Sequence, residues 1–365
     1  MNNFQPGLVS VMMPAYNAGR FIAEAIESVQ AQSYPDWELL VVNDGSTDET
    51  AVIAQRYTHD PRVRLLHKEN GGEASARNVA LENSRGEFIA YLDSDDGWLP
   101  HHLEVTIQHL AAHPEHDAVY TDGYHYDPQG RRGSPLSSNR RGPYNGRLYE
   151  ALVWSSNIFG PPICVVLRHD LVARHRLRYD TRIVIGPDWD FFIRYTDLAQ
   201  FGYVDERTCL YRVHETNITV QVGGKRRAGY LALCREKAIA MPSFAHCPAE
   251  TRAYVFYDLL IVLLAGEPER QTAVTLTPQF AALPPHEQGR LLRLLASKTL
   301  LRDQNIAPVA DWLARAQAAN PQDRQTRLLA AIYRLNPGLA RWFLRQREGA
   351  QPKAPANQSP FGDLV

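Results

Sequence analysis

Short apolar runs alternate with segments of helical periodicity over the first hundred residues of this 365-residue chain, and this alternation constrains the fold more than any other feature. Four runs have the length and composition of buried β-strands: residues 8–14, 37–42, 63–67 and 87–92. Helical segments lie between them: residues 20–32, a helix capped by residues 46–49, and residues 71–83. This order predicts an α/β fold with a mostly parallel, doubly wound sheet.

Polar residues follow three of the four predicted strands. They are residues 14–17, 43–46 and 93–95. In open parallel sheets, ligands bind beyond the carboxyl ends of the strands, and these ends lie at one edge. We therefore expect the three stretches to meet in a single crevice.

The most acidic of these stretches is Asp-Ser-Asp-Asp-Gly at residues 93–97. Asp93 and Asp95 are two residues apart, so in extended chain they would project to the same side. Two carboxylates held together suit Mg²⁺ or Mn²⁺ when substrate phosphates complete the coordination shell. The same residues are also typical of a solvated turn with Asp and Ser capping the backbone, and the segment alone leaves both interpretations open.

Composition excludes several classes of protein. The formal net charge is −1, so no basic field indicates a nucleic-acid partner. No basic start followed by an apolar core marks a signal peptide, and the longest apolar stretch, residues 258–266, is too short to cross a bilayer. The cysteines have no short paired spacing, which fits a reducing cytosol; they are Cys164, Cys209, Cys234 and Cys247. We therefore expect a cytoplasmic protein without a transmembrane segment.

The character of the chain changes near residue 225. Beyond it, leucine and alanine dominate, and helical periods are separated by Pro and Gly breaks. We predict three regions: a catalytic α/β domain at 1–224, a helical domain at 225–345 that serves association or acceptor recognition, and a disordered tail at 346–365.

Six motifs occur in a fixed order along the first domain: residues 9–17, 42–48, 76–78, 92–96, 186–190 and 211–217. The ordered set closely resembles the family 2 glycosyltransferases, over about the first 220 residues. The resemblance implies the Rossmann-like, A-type nucleotide-sugar transferase fold. It also implies inverting transfer of a sugar from a nucleotide-diphosphate donor, expected to be UDP-linked, to a hydroxyl-type acceptor on a polysaccharide, glycolipid or protein.

The resemblance also implies a donor-binding set: Pro14, Ala15, Tyr16, Asn17, Asp44, Arg77, Asp93 and Ser94. Tyr16 can stack on the base, and Asp44 can accept a hydrogen bond from the base or ribose. Asp93 matches the ribose-side acid. Arg77 matches a position near the base, with a plain surface helix charge as the alternative.

For the chemistry, Asp95 matches the family's metal ligand and His214 a histidine near the diphosphate or metal, which implies Mn²⁺ or Mg²⁺ as cofactor. Asp188 matches the catalytic base. The family usually has an acid just before this aspartate, and this chain has Pro187 instead. Asp190 is an alternative base, although an acid there is typical of charge compensation at a helix start.

Two other functions remain open. A sugar nucleotidyltransferase would share the sheet and the acids, but residues 14–20 are a poor version of its glycine-rich phosphate loop. A non-catalytic nucleotide-sugar-binding module with a helical docking domain has Pro187 as its only direct support. The helical domain could mediate homo-oligomer formation, and basic residues 225–227 could favour peripheral association with the inner membrane face.

Overall fold

The computed structural model describes residues 4–127, 129, 132–215, 224–302 and 306–348. It divides into two compact units, Met1–Gly223 and Gly224–Val365. Each unit is described by itself below.

The first unit folds around one sheet, which has nine strands within the described residues. The strands are β1 (Gln5–Ala15), β2 (Trp37–Asp44), β3 (Val63–Lys68), β4 (Gly86–Tyr91), β5 (Gly97–Trp98), β6 (Ala118–Tyr126), β7 (Arg132–Pro135), β8 (Val165–Arg168) and β9 (Phe201–Arg212). The α-helices are α1 (Ile22–Gln30), α2 (Thr50–Gln55), α3 (Glu73–Asn83), α4 (His102–Ala112), α5 (Tyr149–Trp154), α6 (His169–Arg174) and α7 (Pro187–Thr196). Two 3₁₀ turns, Leu136–Asn139 and Pro162–Cys164, complete it.

The strand order is β3-β2-β1-β4-β8-β6-β9-β5, with β7 paired to β6. The first four strands are parallel neighbours, which places their carboxyl ends at one edge. From β8 onward the sheet is mixed, because β8 runs antiparallel to both β4 and β6. The predicted α/β fold class is confirmed, and its parallel part carries the three polar stretches.

Burial explains why these segments form strands and helices. Every residue of β2 is buried, and α1 buries Ile22, Ala25, Ile26 and Val29 against the sheet, the face that its periodicity predicts. Each buried Ile or Val side chain among them contributes about 1.5–3 kcal/mol by leaving water. At Gly86 a Cβ atom would lie 2.4 Å from the Leu8 carbonyl oxygen, so only glycine lets β4 approach β1 this closely.

The second unit is helical throughout its described residues. Its α-helices are α8 (Gly224–Ile239), α9 (Ala249–Gly266), α10 (Gln271–Val274), α11 (Pro278–Ala281), α12 (Pro285–Leu301), α13 (Val309–Ala319), α14 (Arg324–Leu335) and α15 (Pro337–Glu348). Two 3₁₀ turns, Pro242–His246 and Pro268–Arg270, join them. Helix α9 contains the apolar stretch at 258–266, and its Leu259 and Leu263 are buried. Among the described helices, none combines the length and apolarity that crossing a bilayer requires.

The predicted disordered tail begins too early. Residues 346–348 form the last turn of α15, because its amphipathic pattern continues through Arg345. The remaining residues of that prediction, 349–365, lie outside the described residues.

Candidate active site

A cavity of about 700 Å³ opens at the edge where β1, β2 and β4 end. Its lining includes nine of the eleven residues that the sequence proposed: Pro14, Ala15, Tyr16, Asp44, Arg77, Asp93, Ser94, Asp95 and Asp188. The predicted single crevice therefore exists, and residues far apart in the chain share it. The Asp188 carboxyl, which comes from α7, lies on the same cavity as the acids that follow β4.

Asp44 forms the wall at the end of β2. Its Oδ1 accepts a hydrogen bond from the Gly71 N–H at 3.0 Å, and its Oδ2 accepts one from the Gly72 N–H at 2.7 Å. Lys68 pairs with the same carboxylate. Gly72 has φ +82°, a left-handed conformation that glycine adopts without strain. Asp44 thus holds the loop before α3 in place as well as facing the cavity.

Arg77 is 1% exposed, so the surface-charge alternative is wrong for this residue. Its Nη2 donates to Asp93 Oδ1 at 2.8 Å, and its Nη1 lies 2.7 Å from Glu73 Oε1. The ring centroids of Tyr91 and Tyr179 lie 5.9 and 5.7 Å from the guanidinium carbon. Arg77 therefore joins helix α3 to the acidic segment and faces two carboxylates of the cavity wall.

The acidic segment is a turn and not extended chain. The Asp96 N–H donates to the Asp93 carbonyl at 3.1 Å, so the expectation that Asp93 and Asp95 project to one side through strand geometry is wrong. Asp93 faces Arg77, whereas Asp95 Oδ2 lies 2.8 Å from His214 Nε2. Because of this turn, the two acids contact different partners, although their two-residue spacing had placed them on one side.

Arg212 and Asp96 stabilise this turn through hydrogen bonds. The Arg212 N–H donates to Asp96 Oδ1 at 2.7 Å, and Arg212 Nε donates to the Asp95 carbonyl at 2.8 Å. Asp96 is 1% exposed, and its Oδ2 has no hydrogen-bond partner among the described residues. Because β9 carries Arg212 at its end, the pairing of β9 with β5 brings His214 to Asp95.

Asp188 lies in the first turn of α7. Gly186 precedes the helix with φ +79°, and Pro187 occupies its first position, where the missing N–H costs no hydrogen bond. The departure from the family pattern at Pro187 therefore fixes where α7 starts. Asp190, in contrast, is 2% exposed and ion-paired to Arg194 at 2.6 Å, and it does not line the cavity.

The cavity carries more negative than positive charge. Its lining contains five carboxylates (Asp44, Glu73, Asp93, Asp95 and Asp188) and, among the described residues, one guanidinium. Burial, together with the charge of Asp93, raises the pKa of Asp95, and burial raises the pKa of Asp188 although Arg77 opposes the shift. Burial and the neighbouring acids raise the pKa of Glu73 to about 7, against the effect of Arg77. Such a cluster favours a bound cation.

Two proposed residues do not line the cavity. Asn17 has φ +50°, and its side chain accepts a hydrogen bond from the Thr47 N–H at 2.9 Å, so it fastens the loop after β1 to the loop after β2. His214 reaches the site through Asp95 and is 6% exposed at its side chain. Trp154 and Trp189, two aromatic residues whose flat rings could in principle stack on a sugar, lie off the cavity lining; Trp189 is buried, and its Nε1 donates to the Leu152 carbonyl at 2.9 Å.

Sequence reasoning missed part of the lining. Its members are Asn70, Gly71, Gly72, Glu73, Ala76, Pro161, Pro162, Val184, Ile185, Gly186, Pro187 and Tyr211. Glu73 is the most consequential, because it supplies a fifth carboxylate. An acid at the start of a helix is typical of charge compensation, and its distance from Asp93 in the chain gave no other signal.

Comparisons with known proteins show what the chain is similar to in sequence and fold. Residues 10–175 match the model of glycosyl transferase family 2. TuaG of Bacillus subtilis strain 168, to which a glycosyltransferase role in teichuronic acid biosynthesis is attributed, is 45% identical over 112 residues, covering 30% of this chain and 44% of that protein. WcaA of Escherichia coli K12, attributed to colanic acid biosynthesis as a glycosyl transferase, is 28% identical over 63% of this chain and 81% of that protein.

The matched part spans less than half of the length of the first curated relatives. Among solved structures, the crystal structure of S. aureus TarS 1–349 in complex with UDP-GlcNAc has a TM-score of 0.57 at 17% identity, over 90% of this chain and 91% of that one. At this identity the likeness bears on the fold. The motifs, the match over residues 10–175 and this fold agree, and that part of the chain is similar to glycosyl transferase family 2.

Proposed function

We propose that the protein transfers a sugar from a nucleotide-diphosphate donor, UDP-linked, to a hydroxyl on a polysaccharide, glycolipid or protein acceptor, with inversion at the anomeric carbon. The observation that carries this proposal is the shared cavity, in which the donor-motif residues and Asp188 lie on one edge of the sheet. Polysaccharide pathways are attributed to two relatives, and the TarS neighbour is a UDP-GlcNAc complex.

The donor fits the parallel edge of the sheet. The cavity volume of about 700 Å³ lies within the range of small-molecule sites. Tyr16 is 53% exposed on the lining, so its ring is free to stack on a base. Asp44 and Asp93 present carboxylate oxygens that accept hydrogen bonds from N–H groups of the base and from ribose hydroxyls.

Asp95 and His214 would hold the divalent cation, Mn²⁺ or Mg²⁺. Their facing atoms lie 2.8 Å apart, a spacing that two ligands of one ion can have, and the excess of carboxylates around them favours a cation. When bound, the ion would neutralise charge on the departing diphosphate.

Asp188 is the base in this proposal. It takes the proton from the attacking acceptor hydroxyl while the bond from the anomeric carbon to the diphosphate breaks. Burial raises its pKa, which makes the carboxylate a stronger proton acceptor than a solvated aspartate. The charge of Arg77 opposes this rise in the pKa of Asp188.

A panel of nucleotide sugars tests the proposal. Turnover should require Mn²⁺ or Mg²⁺ and should disappear in Asp95→Ala. Asp170→Asn is the matched control: Asp170 is 61% exposed at its side chain and ion-paired to Arg174 on the outside of the same unit, so this variant keeps its activity. Pyrophosphate release from a nucleoside triphosphate would support a nucleotidyltransferase instead, and nucleotide binding without turnover would support a non-catalytic module.

For the helical unit we propose binding to an anionic, cytoplasmic membrane surface that carries the acceptor. On α14 and α15 the apolar side chains Leu328, Leu335, Leu339 and Trp342 are 46–80% exposed. Residues 324–347 contain six arginines and no acid. Apolar side chains among basic ones are typical of helices that lie on anionic bilayers.

Cosedimentation with vesicles tests this proposal. The chain should bind vesicles of anionic lipid, bind neutral ones weakly, and lose binding in Leu335→Ser with Trp342→Ser. If those substitutions instead abolish a concentration-dependent increase in mass, the surface serves a homo-oligomer and the membrane proposal is wrong.

A further inference from the structure

A cluster of three histidines and a glutamate lies away from the cavity. His109 is in the last turn of α4, and His113, Glu115 and His116 follow it before β6 begins. Strands β4 and β6 have the same direction, because both run antiparallel to β8. The cluster precedes β6 whereas Asp93 and Asp95 follow β4, so the two groups lie at opposite edges of the sheet.

The ring nitrogens of the cluster converge. His109 Nε2 lies 3.0 Å from His116 Nδ1, and His113 Nδ1 lies 3.1 Å from Glu115 Oε1. The ligand atoms of His113, Glu115 and His116 all lie within 4.8 Å of one another. In a tetrahedral zinc site with bonds of about 2.1 Å, ligand atoms are about 3.4 Å apart, so these three atoms need only a small contraction. His109 Nε2, beside His116 Nδ1, is a further donor.

The backbone around the cluster leaves space for these rings. A Cβ atom at Gly202 would lie 2.1 Å from His109 Nε2 and 2.6 Å from His116 Nδ1, so the glycine of β9 provides the space that both nitrogens occupy. The His113 N–H donates to the His109 carbonyl at 2.9 Å, which folds the segment back after the helix. Arg168 donates to the His116 carbonyl from Nε and to the Leu110 carbonyl from Nη2, at 3.0 and 2.8 Å, which fixes both ends of the turn.

The remaining side chains can adjust. His113 is 46% exposed at its side chain and Glu115 is 61% exposed, so each can rotate toward an ion without disturbing the core. Neutral imidazoles and a carboxylate are the ligands that a borderline divalent ion such as Zn²⁺ binds.

We propose that His109, His113, Glu115 and His116 form a binding site for a divalent transition-metal ion, with Zn²⁺ as its best fit. The ion would join the end of α4 to the segment that precedes β6, beside Gly202 of β9. This metal site is separate from the one we propose at Asp95, and its ligand chemistry differs, because imidazole nitrogen predominates over carboxylate oxygen.

Calorimetric titration of the chelator-treated full-length protein with ZnCl₂ tests the site. The parent is Asp95→Ala, so that zinc bound at the cavity is not counted. It should bind one Zn²⁺, and His113→Ala or His116→Ala in that parent should weaken binding about tenfold or more. His59→Ala is the matched control, because His59 is exposed in the same unit and contacts only the Arg56 carbonyl in the described hydrogen bonds.

Cobalt spectroscopy gives a second readout. Co²⁺ added to the same parent should produce the visible absorption bands of four-coordinate ligation, and Glu115→Gln should change them while the circular dichroism of the fold stays the same. Absence of saturable zinc binding by the parent, or equal zinc affinity in the histidine variants and in His59→Ala, would overturn the proposal. Glycosyl transfer is not a readout here, so the outcome is independent of the proposed function.

Discussion

The sheet carries acids in opposite electrostatic situations at its two edges, one of which is the edge where β2 starts. Glu38, near its start, is 2% exposed and receives hydrogen bonds on both oxygens: from Ser10 Oγ and the Arg85 N–H on Oε1, and from Arg64 and Arg85 on Oε2. Burial alone would raise its pKa, but the Arg85 hydrogen bonds lower it. At the other edge, Glu73, Asp95 and Asp188 have raised pKa values because burial is not fully compensated.

The difference separates a structural acid from acids available for chemistry. Glu38 holds β1, β2, β3 and the start of β4 together, and its charge is neutralised within the fold. The cavity acids share Arg77 and leave negative charge for a substrate or cation to compensate. Four predictions test this contrast, from the largest effect to the smallest.

Asp188→Asn should lower kcat about 10³-fold, because general base catalysis contributes on that order. The free energy of unfolding should stay the same or rise, since the substitution removes an uncompensated buried charge. Steady-state kinetics and urea unfolding measure the two quantities. An unchanged kcat would show that Asp188 is not the base.

Glu38→Ala should lower stability and leave activity nearly unchanged, the reverse of Asp188→Asn. It should lower the free energy of unfolding by about 3 kcal/mol, because it leaves Arg64, Arg85 and Ser10 without their shared acceptor. Per folded molecule, activity should remain near that of the parent. Urea unfolding followed by circular dichroism measures the loss, and a loss no larger than that of Asp170→Asn would contradict the structural assignment.

The pH dependence of stability should differ in sign at the two edges. The pKa of Glu73 rises from 4.5 to about 7 on folding, so its contribution is fully present below pH 4.5 and is lost as pH rises through about 7. The pKa of Glu38 falls on folding, so its contribution is present above pH 4.5 and is lost as pH falls.

Glu73→Gln should therefore flatten the stability profile between pH 4.5 and 7 by about 1–2 kcal/mol, a value reduced because the side chain is 27% exposed. Urea unfolding at several pH values measures it. A profile in Glu73→Gln identical to that of the parent would show that Arg77 fully compensates this acid.

Mn²⁺ should raise the melting temperature by a few degrees, because a ligand that binds only the folded state stabilises it. Asp95→Ala should remove most of this rise, whereas Asp170→Asn should keep it. Thermal melts with and without a chelator measure the effect. An equal rise in Asp95→Ala would place the ion at other residues.

Patterns along the chain predicted the parallel part of the fold because each strand there is a continuous apolar run followed by a helix of period 3.6. The same patterns did not predict β8, since its four residues follow a Pro-Pro pair at 161 and 162 and resemble loop. They also could not give the direction of β8, which depends on packing between β4 and β6.

For the site, the predicted carboxyl ends of the strands indicated which acids would share a cavity, because these ends lie at one edge of a parallel sheet. Side-chain direction depended on local turn geometry that spacing does not encode, as at Asp93 and Asp95. Glu73 and the histidine cluster were missed for a related reason. Each of these residues has a common structural interpretation within its own segment. Its possible function depends on neighbours that the fold brings close to it.

The glycine–proline start of α7 has a consequence for acceptor choice. Pro187 fixes its own φ angle, and Gly186 holds a left-handed conformation that closes the preceding bend. With Asp188 as the base, its carboxylate is carried on the first turn of a helix whose start Pro187 restricts. The acceptor then has to place its hydroxyl at this carboxylate. Which of its hydroxyls reacts follows from how the rest of the acceptor docks.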